Sequence, residues 1–364
     1  MARMPTRLGD GSLVEMSAAE IETDLHAGTE AAAKRAKVEP LDEAELDHLK
    51  DIFTSTARFS SVDYGDEVVL SFDGAGNADT GLPVAEQVMY QNHHGADSVE
   101  LWHQDYSFKA VRTVLSFQTQ MLKDALLQTV VPLNYGAMPD LGRYSQPDGP
   151  APNWSELLPQ GRIDEARAAQ EQAAEQLERD MFVVAEARAA QAEAITHLEH
   201  DMKCVIEGMV GAGVDGIDFD TAGASGDADL LATLRVARKL RDTYPDIGVE
   251  IGQASELVLG MHGELEYEGT RLAGQWPLGQ LRVCEAAGAT IFGPAVNVNT
   301  TRSLAWNTAR ACTLVKPCAA EATIPIHMNA GMGVGGVPMT PYPPVDATSR
   351  ASRALVDILK VDGL

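Results

Sequence analysis

Long apolar runs are missing from this sequence. No stretch approaches the ~18 uninterrupted apolar residues that a membrane-spanning helix needs, which excludes an integral helical membrane protein. The opening MARMPTRLGDGSLVEM has no continuous apolar core, so no secretory signal is expected and the cytoplasm is the expected compartment. Cysteine is scarce as well. Cys204, Cys284, Cys312 and Cys318 stand singly, at no metal-ligand spacing and in apolar or helical surroundings, which argues against a disulfide framework and predicts buried, reduced thiols. Positive charge is short: 28 Lys and Arg against 53 Asp and Glu leave a net charge of −25, and most of the basic residues are arginine. Such a surface repels a phosphate backbone and makes nucleic acid a poor partner. It stays soluble by self-repulsion, as suits a protein adapted to high salt and equally an ordinary acidic cytosolic enzyme.

What is present is regular. A chain of 364 residues with 45% hydrophobic content can bury one large core or two medium ones. Residues 16–57 read as an Ala/Glu-rich helical stretch broken near Pro40, with Ser17 as N-cap before AAEIETDL. EVVLSFDGAGN, from Glu67, reads as a small hairpin. From Gly95 a unit recurs in which a helix stops at Gly-Ala or Gly-Val and a β-rich run follows: GADSVELWH from Gly95, GVDGIDFD from Gly213, GATIFGPAV from Gly288 and KVDGL at the last residues. TVVPLNYG from Thr129, IGVEIGQ from Ile247 and TIPIHMNAG from Thr323 are further strand candidates, with helices between them. The likeness of Val361–Leu364 to Val214–Ile217 places Leu364 inside a strand.

Strands alternating with helices predict parallel pairing with right-handed crossovers. About seven strand starts approach the eight of a TIM barrel, and no GxGxxG opens a helix after a first strand, as an open dinucleotide-binding sheet would require. The expected architecture is therefore α/β: a TIM (β/α)8 barrel over residues 95–364, incomplete at its C-terminus, preceded by a helical and hairpin extension at 1–94. A long Ala/Glu/Gln/Arg-rich helical arm interrupts it at 162–208, and in it LERDM from Leu177 recurs as LEHDM from Leu198. That shift keeps side chains near one helix face, so the repeat reads as a duplication that lengthens the arm, for oligomerisation, for packing outside the barrel, or as a solvated extension.

Barrel chemistry lies at the carboxyl ends of strands, so the residues after each apolar run are the candidates. They include Glu100, His103, Asp105, Tyr106 and Lys109 after the first strand, then Tyr135 and Arg143. DFDTAGASGDAD follows with Asp218, Asp220, Asp227 and Asp229, carboxylates able to bind a cation or a protonated amine. Asp227 and Asp229 sit where a helix begins and read better as N-capping residues. Glu250 ends the next strand, with Glu256 shortly after, and His262 stands between glycines in LGMHGELEYEG. With no HExxH or paired-histidine spacing, no metal is predicted. Asn297 and Asn299 share one side of a strand end, and His327 and Asn329 precede a Gly-rich loop. That loop suits a phosphate or the close passage of a large cofactor or partner.

The strings DYSFK, VPLNYGAMPDLG, YSQPDGP, GVDGIDFDTAGASGDAD, ELVLGMHGELEYEGTRLAGQWP, IFGPAVNVNTT, WNTARA, NAGMGVGGVPM and DATSRASRALVDILKVDG closely resemble the dimethylamine:corrinoid protein methyltransferases, from about Arg7 to Leu364. The resemblance implies a TIM barrel that moves a methyl group from dimethylamine to the Co(I) of a separate corrinoid protein, with no cofactor bound by the chain itself. It also implies a pyrrolysine, encoded by an in-frame amber codon, directly after Leu364; the 364-residue chain is then expected to be inactive alone. By position, Glu250, Asp218 or Glu100 would serve as acids and stabilise cationic charge. Tyr135, Asp220, His262, Asn297, Asn299, His327 and Asn329 would orient amine or corrinoid. The implied partners are the cognate corrinoid protein, a small methylated amine and further copies of the chain. Two other readings stand beside this one: a non-catalytic remnant that binds the corrinoid protein, and a pyrrolysine-free barrel enzyme for another methylated amine. An aromatic cage would mark the latter, and Trp102, Trp276 and Trp306 are scattered.

Overall fold

A computed structural model describes residues 3–56, 99–103, 111–116, 184–211, 213–214, 216–224, 226–260, 263–340 and 343–364. It is a mixed α/β structure with parallel strand pairing, organised in two compact units. The hairpin expected from Glu67 and the strand expected from Thr129 lie outside the described residues.

The first unit draws on residues 3–56, 276–285 and 291–364. It opens with an antiparallel hairpin of β1 (Arg3–Arg7) and β2 (Leu13–Ser17), which no sequence expectation covered. Ser17 caps α1 (Ala18–Ala36) as expected; it does so in a reciprocal capping box with Glu20, and Asp42 with Glu45 caps α2 (Glu43–Thr54) in the same way. The break near Pro40 is the joint between them. Ile21, Leu25, Gly28, Thr29 and Ala32 form one stripe of α1, and this stripe packs on α6 (Leu304–Glu321). α5 (Pro277–Ala286) is tied to α6 by Arg282 and Glu321, 2.6 Å apart. α7 (Val345–Ala354) runs into a π-helical turn at Leu355–Leu359, anchored to α2 by His48 and Asp357 at 2.8 Å.

Between these helices the first unit carries three short parallel stretches. Phe292, in β9 (Ile291–Gly293), bridges Ile326, and His327 bridges Gly363. The amides of Asp362 and Gly363 both donate to the Ile326 carbonyl at 3.0 Å, Met328 N–H donates to Gly363 O at 2.9 Å, and the Asp362 carboxylate accepts from Ile326 N–H at 2.9 Å. Gly363 thus makes an isolated parallel bridge, but Leu364 lies in no strand, which corrects the expectation drawn from the likeness to Val214–Ile217: the pairing is confined to single bridges and does not extend into a ladder.

The second unit draws on 99–116, 184–275 and 286–290 among the described residues. Its strands lie in the order β3 (Val99–His103), β4 (Val111–Ser116), β5 (Gly216–Ala222), β6 (Gly248–Gln253). β4–β5 and β5–β6 are parallel, but β3 and β4 are antiparallel. The seven residues between β3 and β4 are too few for a crossover, so this pair corrects the expectation of parallel pairing throughout. β4 itself matches none of the strand candidates that the sequence offers. α3 (Val184–Gly211) belongs to the arm and buries Ile195, Leu198, Met202 and Ile206, spaced three or four residues apart. It packs on α4 (Asp227–Thr243), where Glu199 meets Arg235 at 3.1 Å. A two-residue ribbon, β7 (Glu266–Tyr267) with β8 (Thr270–Arg271), follows β6.

The cysteines are not uniformly buried. Cys284, Cys312 and Cys318 are, and burial pushes their thiols well up, Cys318 to about 12. Cys204 is instead exposed on α3, with its sulfur 3.7 Å from His200 Nε2. Native protein at mildly alkaline pH should take up a single equivalent of an aromatic disulfide reagent, rising to all four thiols in denaturant; two or more fast-reacting thiols in the native state would contradict this burial.

Candidate functional site

Two adjacent parallel strands place three of the expected carboxylates on one face. Asp218 of β5 is the register partner of Glu250 on β6, and both are buried, at 3% and 5% exposure. Neighbouring strands lie ~4.8 Å apart and side chains alternate along each, so Asp218 and Glu250 share a face with Asp220 two residues on. Gly252 makes room for them: a Cβ there would lie 3.2 Å from Asp220 Oδ1 and 3.6 Å from Asp218 Oδ1. The register then shifts between Phe219 and Ala222, and Thr221 takes a left-handed conformation (φ 53°) that aims its N–H at Asp220 Oδ1, 2.6 Å away. A non-glycine residue in that region costs of order 1 kcal/mol and marks a strand end shaped for something other than sheet regularity. Buried carboxylates side by side create negative potential in a low-dielectric wall, which attracts a protonated amine that can donate N–H bonds.

Asp227 and Asp229 behave differently from the N-capping reading. Gly226 is the N-cap of α4 and offers no side-chain bond; the two aspartates lie inside its first turn, where their charge complements the helix dipole. Asp227 is also packed in: its amide donates to Leu259 O at 2.7 Å, and a Cβ on Gly260 would lie 2.6 Å from its Oδ2.

In the first unit, the structure gathers Asn297, Asn299, His327 and Asn329 around two joined loops. β9 ends at Gly293, so the two asparagines lie in the following loop rather than at the strand end. Asn297 forms an antiparallel bridge with Val334, Val298 N–H donates to Gly333 O at 2.8 Å, and Gly335 N–H donates to Val296 O at 3.0 Å. Asn299 is exposed, and its Oδ1 accepts from the N–H and hydroxyl of Thr301 at 3.0 and 2.8 Å, closing a turn. His327 is half-buried and Asn329 exposed. The Gly-rich loop needs its glycines for its own chain: Gly335 has φ 66°, and a Cβ there would sit 2.6 Å from Asn329 O.

Two residues of this loop system escaped the sequence reading. Asn307 and Arg310 lie one turn apart on α6, at 2% and 7% exposure, and hold the 297–303 loop from behind. The one signal for them was an Asn and an Arg within a mostly apolar helical stretch, types rarely buried without a partner.

Glu100 lies in β3 opposite Val114. Tyr135, His262, Asp105, Tyr106, Lys109 and Arg143 fall outside the described residues. Among the described residues, no three His, Cys, Asp or Glu side chains are grouped to hold a metal ion, and no helix is long and apolar enough to cross a membrane.

The family model described as dimethylamine methyltransferase (Dimeth_PyL) matches residues 2–193 and 181–364 of the chain. The two matches share residues 181–193, inside the repeated arm sequence, where EARAAQ at 165–170 recurs at 186–191 and LERDM at 177–181 recurs as LEHDM at 198–202. No solved structure matches the chain.

Proposed function

The chain belongs to the dimethylamine methyltransferase family, and from that premise we propose that it transfers a methyl group from dimethylamine to the Co(I) of a cognate corrinoid protein, giving methylamine and methyl-Co(III). The observation that carries the reading is the carboxylate face on which buried Asp218 and Glu250 stand with half-buried Asp220. Dimethylamine is protonated near neutral pH, with two N–H donors and two methyl groups, so facing carboxylates hold its nitrogen and leave the methyls free to point elsewhere. A methyl on nitrogen is a poor electrophile because the leaving amine is basic. Glu250 and Asp218 then take up the proton that the amine sheds, return it to the leaving methylamine, and act as counter-charge to the cationic centre while methyl transfer proceeds, with Glu100 the third candidate by position.

A pyrrolysine directly after Leu364, as the resemblance implies, would supply an electrophilic imine that holds the amine. The pairing of His327 with Gly363 supports that position: two residues further on, it would stand beside Asn329. The same reading carries the (β/α)8 barrel, supported by parallel β5 and β6, each joined through α-helix, and by the parallel bridges at 292, 326, 327 and 363. It also carries the cytoplasmic location and an oligomer with the arm at 162–208 as its contact.

The test is transfer of methyl from dimethylamine to a purified partner carrying cob(I)alamin, followed by loss of the Co(I) absorbance, with the gene product read through the codon after Leu364. Transfer from dimethylamine and not from trimethylamine or a quaternary amine supports the reading. Transfer only from another methylated amine would replace it with the pyrrolysine-free alternative, and equal activity of the 364-residue form would remove pyrrolysine from the proposal.

A further inference from the structure

The loop after β9 combines exposure with an unusual degree of restraint. The Asn307 carboxamide meets it four times: Oδ1 accepts the Asn299 N–H at 2.7 Å, and Nδ2 donates to the carbonyls of Asn299, Ser303 and Arg302 at 3.1, 3.0 and 3.3 Å. Arg310 Nη1 donates to Asn297 O at 2.7 Å. On the other side stands the turn of the β1–β2 hairpin. Gly9 N–H donates to Arg302 O at 2.9 Å, Leu8 bridges Ser303, and a Cβ on Gly9 would lie only 2.3 Å from Asn299 O.

Within this frame Asn299, Thr301 and Arg302 remain exposed. The Arg302 guanidinium lies 5.4 Å from the Trp306 ring centroid and has no carboxylate or carbonyl partner among the described residues. In a chain with a net charge of −25, an arginine left out of ion pairing, yet oriented over an indole, stands out chemically. It would repel a protonated amine, so the small substrate is not its target. An anionic group on a macromolecular partner is, and a loop already fixed in place loses little conformational freedom on association.

We propose that the rim from Asn299 to Arg302 is a docking contact for the methyl-accepting corrinoid protein, with Arg302 engaging an anionic group of that partner. The inference rests on the methyl-transfer reading above and goes beyond it by naming the surface. Arg302 is a recognition residue, and Asn307 and Arg310 are positioning residues that act through the loop.

The experiment titrates the holo corrinoid protein against the wild-type gene product read through the codon after Leu364 and against its Arg302→Glu, Arg302→Lys and Asn307→Ala variants, first without amine for binding and then with dimethylamine for kinetics, at the lowest salt at which each is folded. Arg302→Glu should weaken binding roughly tenfold or more, raise KM for the corrinoid protein without lowering kcat, and leave KM for dimethylamine and the unfolding midpoint unchanged. Arg302→Lys should fall between, because it keeps the charge and loses the planar stack. Asn307→Ala should weaken binding with Arg302 still in place. Wild-type affinity in Arg302→Glu overturns the inference and leaves the methyl-transfer reading standing. Wild-type chain that neither binds the corrinoid protein nor accepts dimethylamine overturns both.

Discussion

Glu250→Gln should lower kcat/KM for dimethylamine by about 10²–10³-fold, about 3–4 kcal/mol of transition-state stabilisation. Glutamine keeps the shape and can still accept one hydrogen bond, but it carries no charge to offset a cationic nitrogen and no proton to give. The site makes the charge effective, because Glu250 is buried beside Asp218 rather than dissolved in water. The amide is nearly isosteric with the carboxylate and leaves no cavity, so the stability of the folded state should change far less than the activity, by about 1 kcal/mol or less. Urea unfolding and steady-state kinetics on the same preparation check both halves. Activity within threefold of wild type would remove Glu250 from the reaction, and a collapse in stability with the activity would make its role structural. Asp218→Asn, measured in parallel, separates the two carboxylates: the one that transfers the proton should lose mainly kcat, the one that only attracts the amine mainly KM.

The second large effect is a pair of identical substitutions with opposite outcomes. Gly28 lies in the middle of α1, where glycine costs a helix about 1 kcal/mol relative to alanine. It is there because α6 comes so close that a Cβ would lie 2.3 Å from the Trp306 carbonyl oxygen. Backbone cannot yield as a side-chain tip can, so Gly28→Ala should force the helices apart and destabilise the protein by about 2–3 kcal/mol despite the better propensity. Gly208 lies in α3, where a Cβ would meet nothing within 4 Å, and Gly208→Ala should stabilise by up to about 1 kcal/mol. Denaturant midpoints at constant m-value are the measurement. A stabilising Gly28→Ala would mean that α1 and α6 do not meet at this distance.

The parts of this fold that sequence exposed were those with local punctuation. Ser17 with Glu20, the glycines ahead of β5 and the apolar run of β6 announce themselves, because caps and turns depend on near neighbours. The β1–β2 hairpin did carry a signal, the Asp-Gly pair at Asp10–Gly11, but its short strands alternate poorly and include Pro5. β4 was missed because six residues of VRTVLS also suit a helix, and only pairing with β3 and β5 decides between the two. In the site, the carboxylates were legible from strand-end position, whereas Asn307 and Arg310 act on a loop that precedes them in sequence and touches them only after folding.

The composition of the first unit has a consequence for how the protein is made. Its core joins α1 and α2 to α6 and the last helical turns, segments separated by roughly 250 residues of chain. At the usual pace of ribosomes, ~5–20 residues per second, the apolar faces of Ile21, Leu25, Leu49 and Ile52 emerge tens of seconds before anything exists to cover them. For that interval they are natural targets for a ribosome-associated chaperone. The yield of active protein in a foreign host should then depend more on chaperone supply during translation than on the stability of the finished fold.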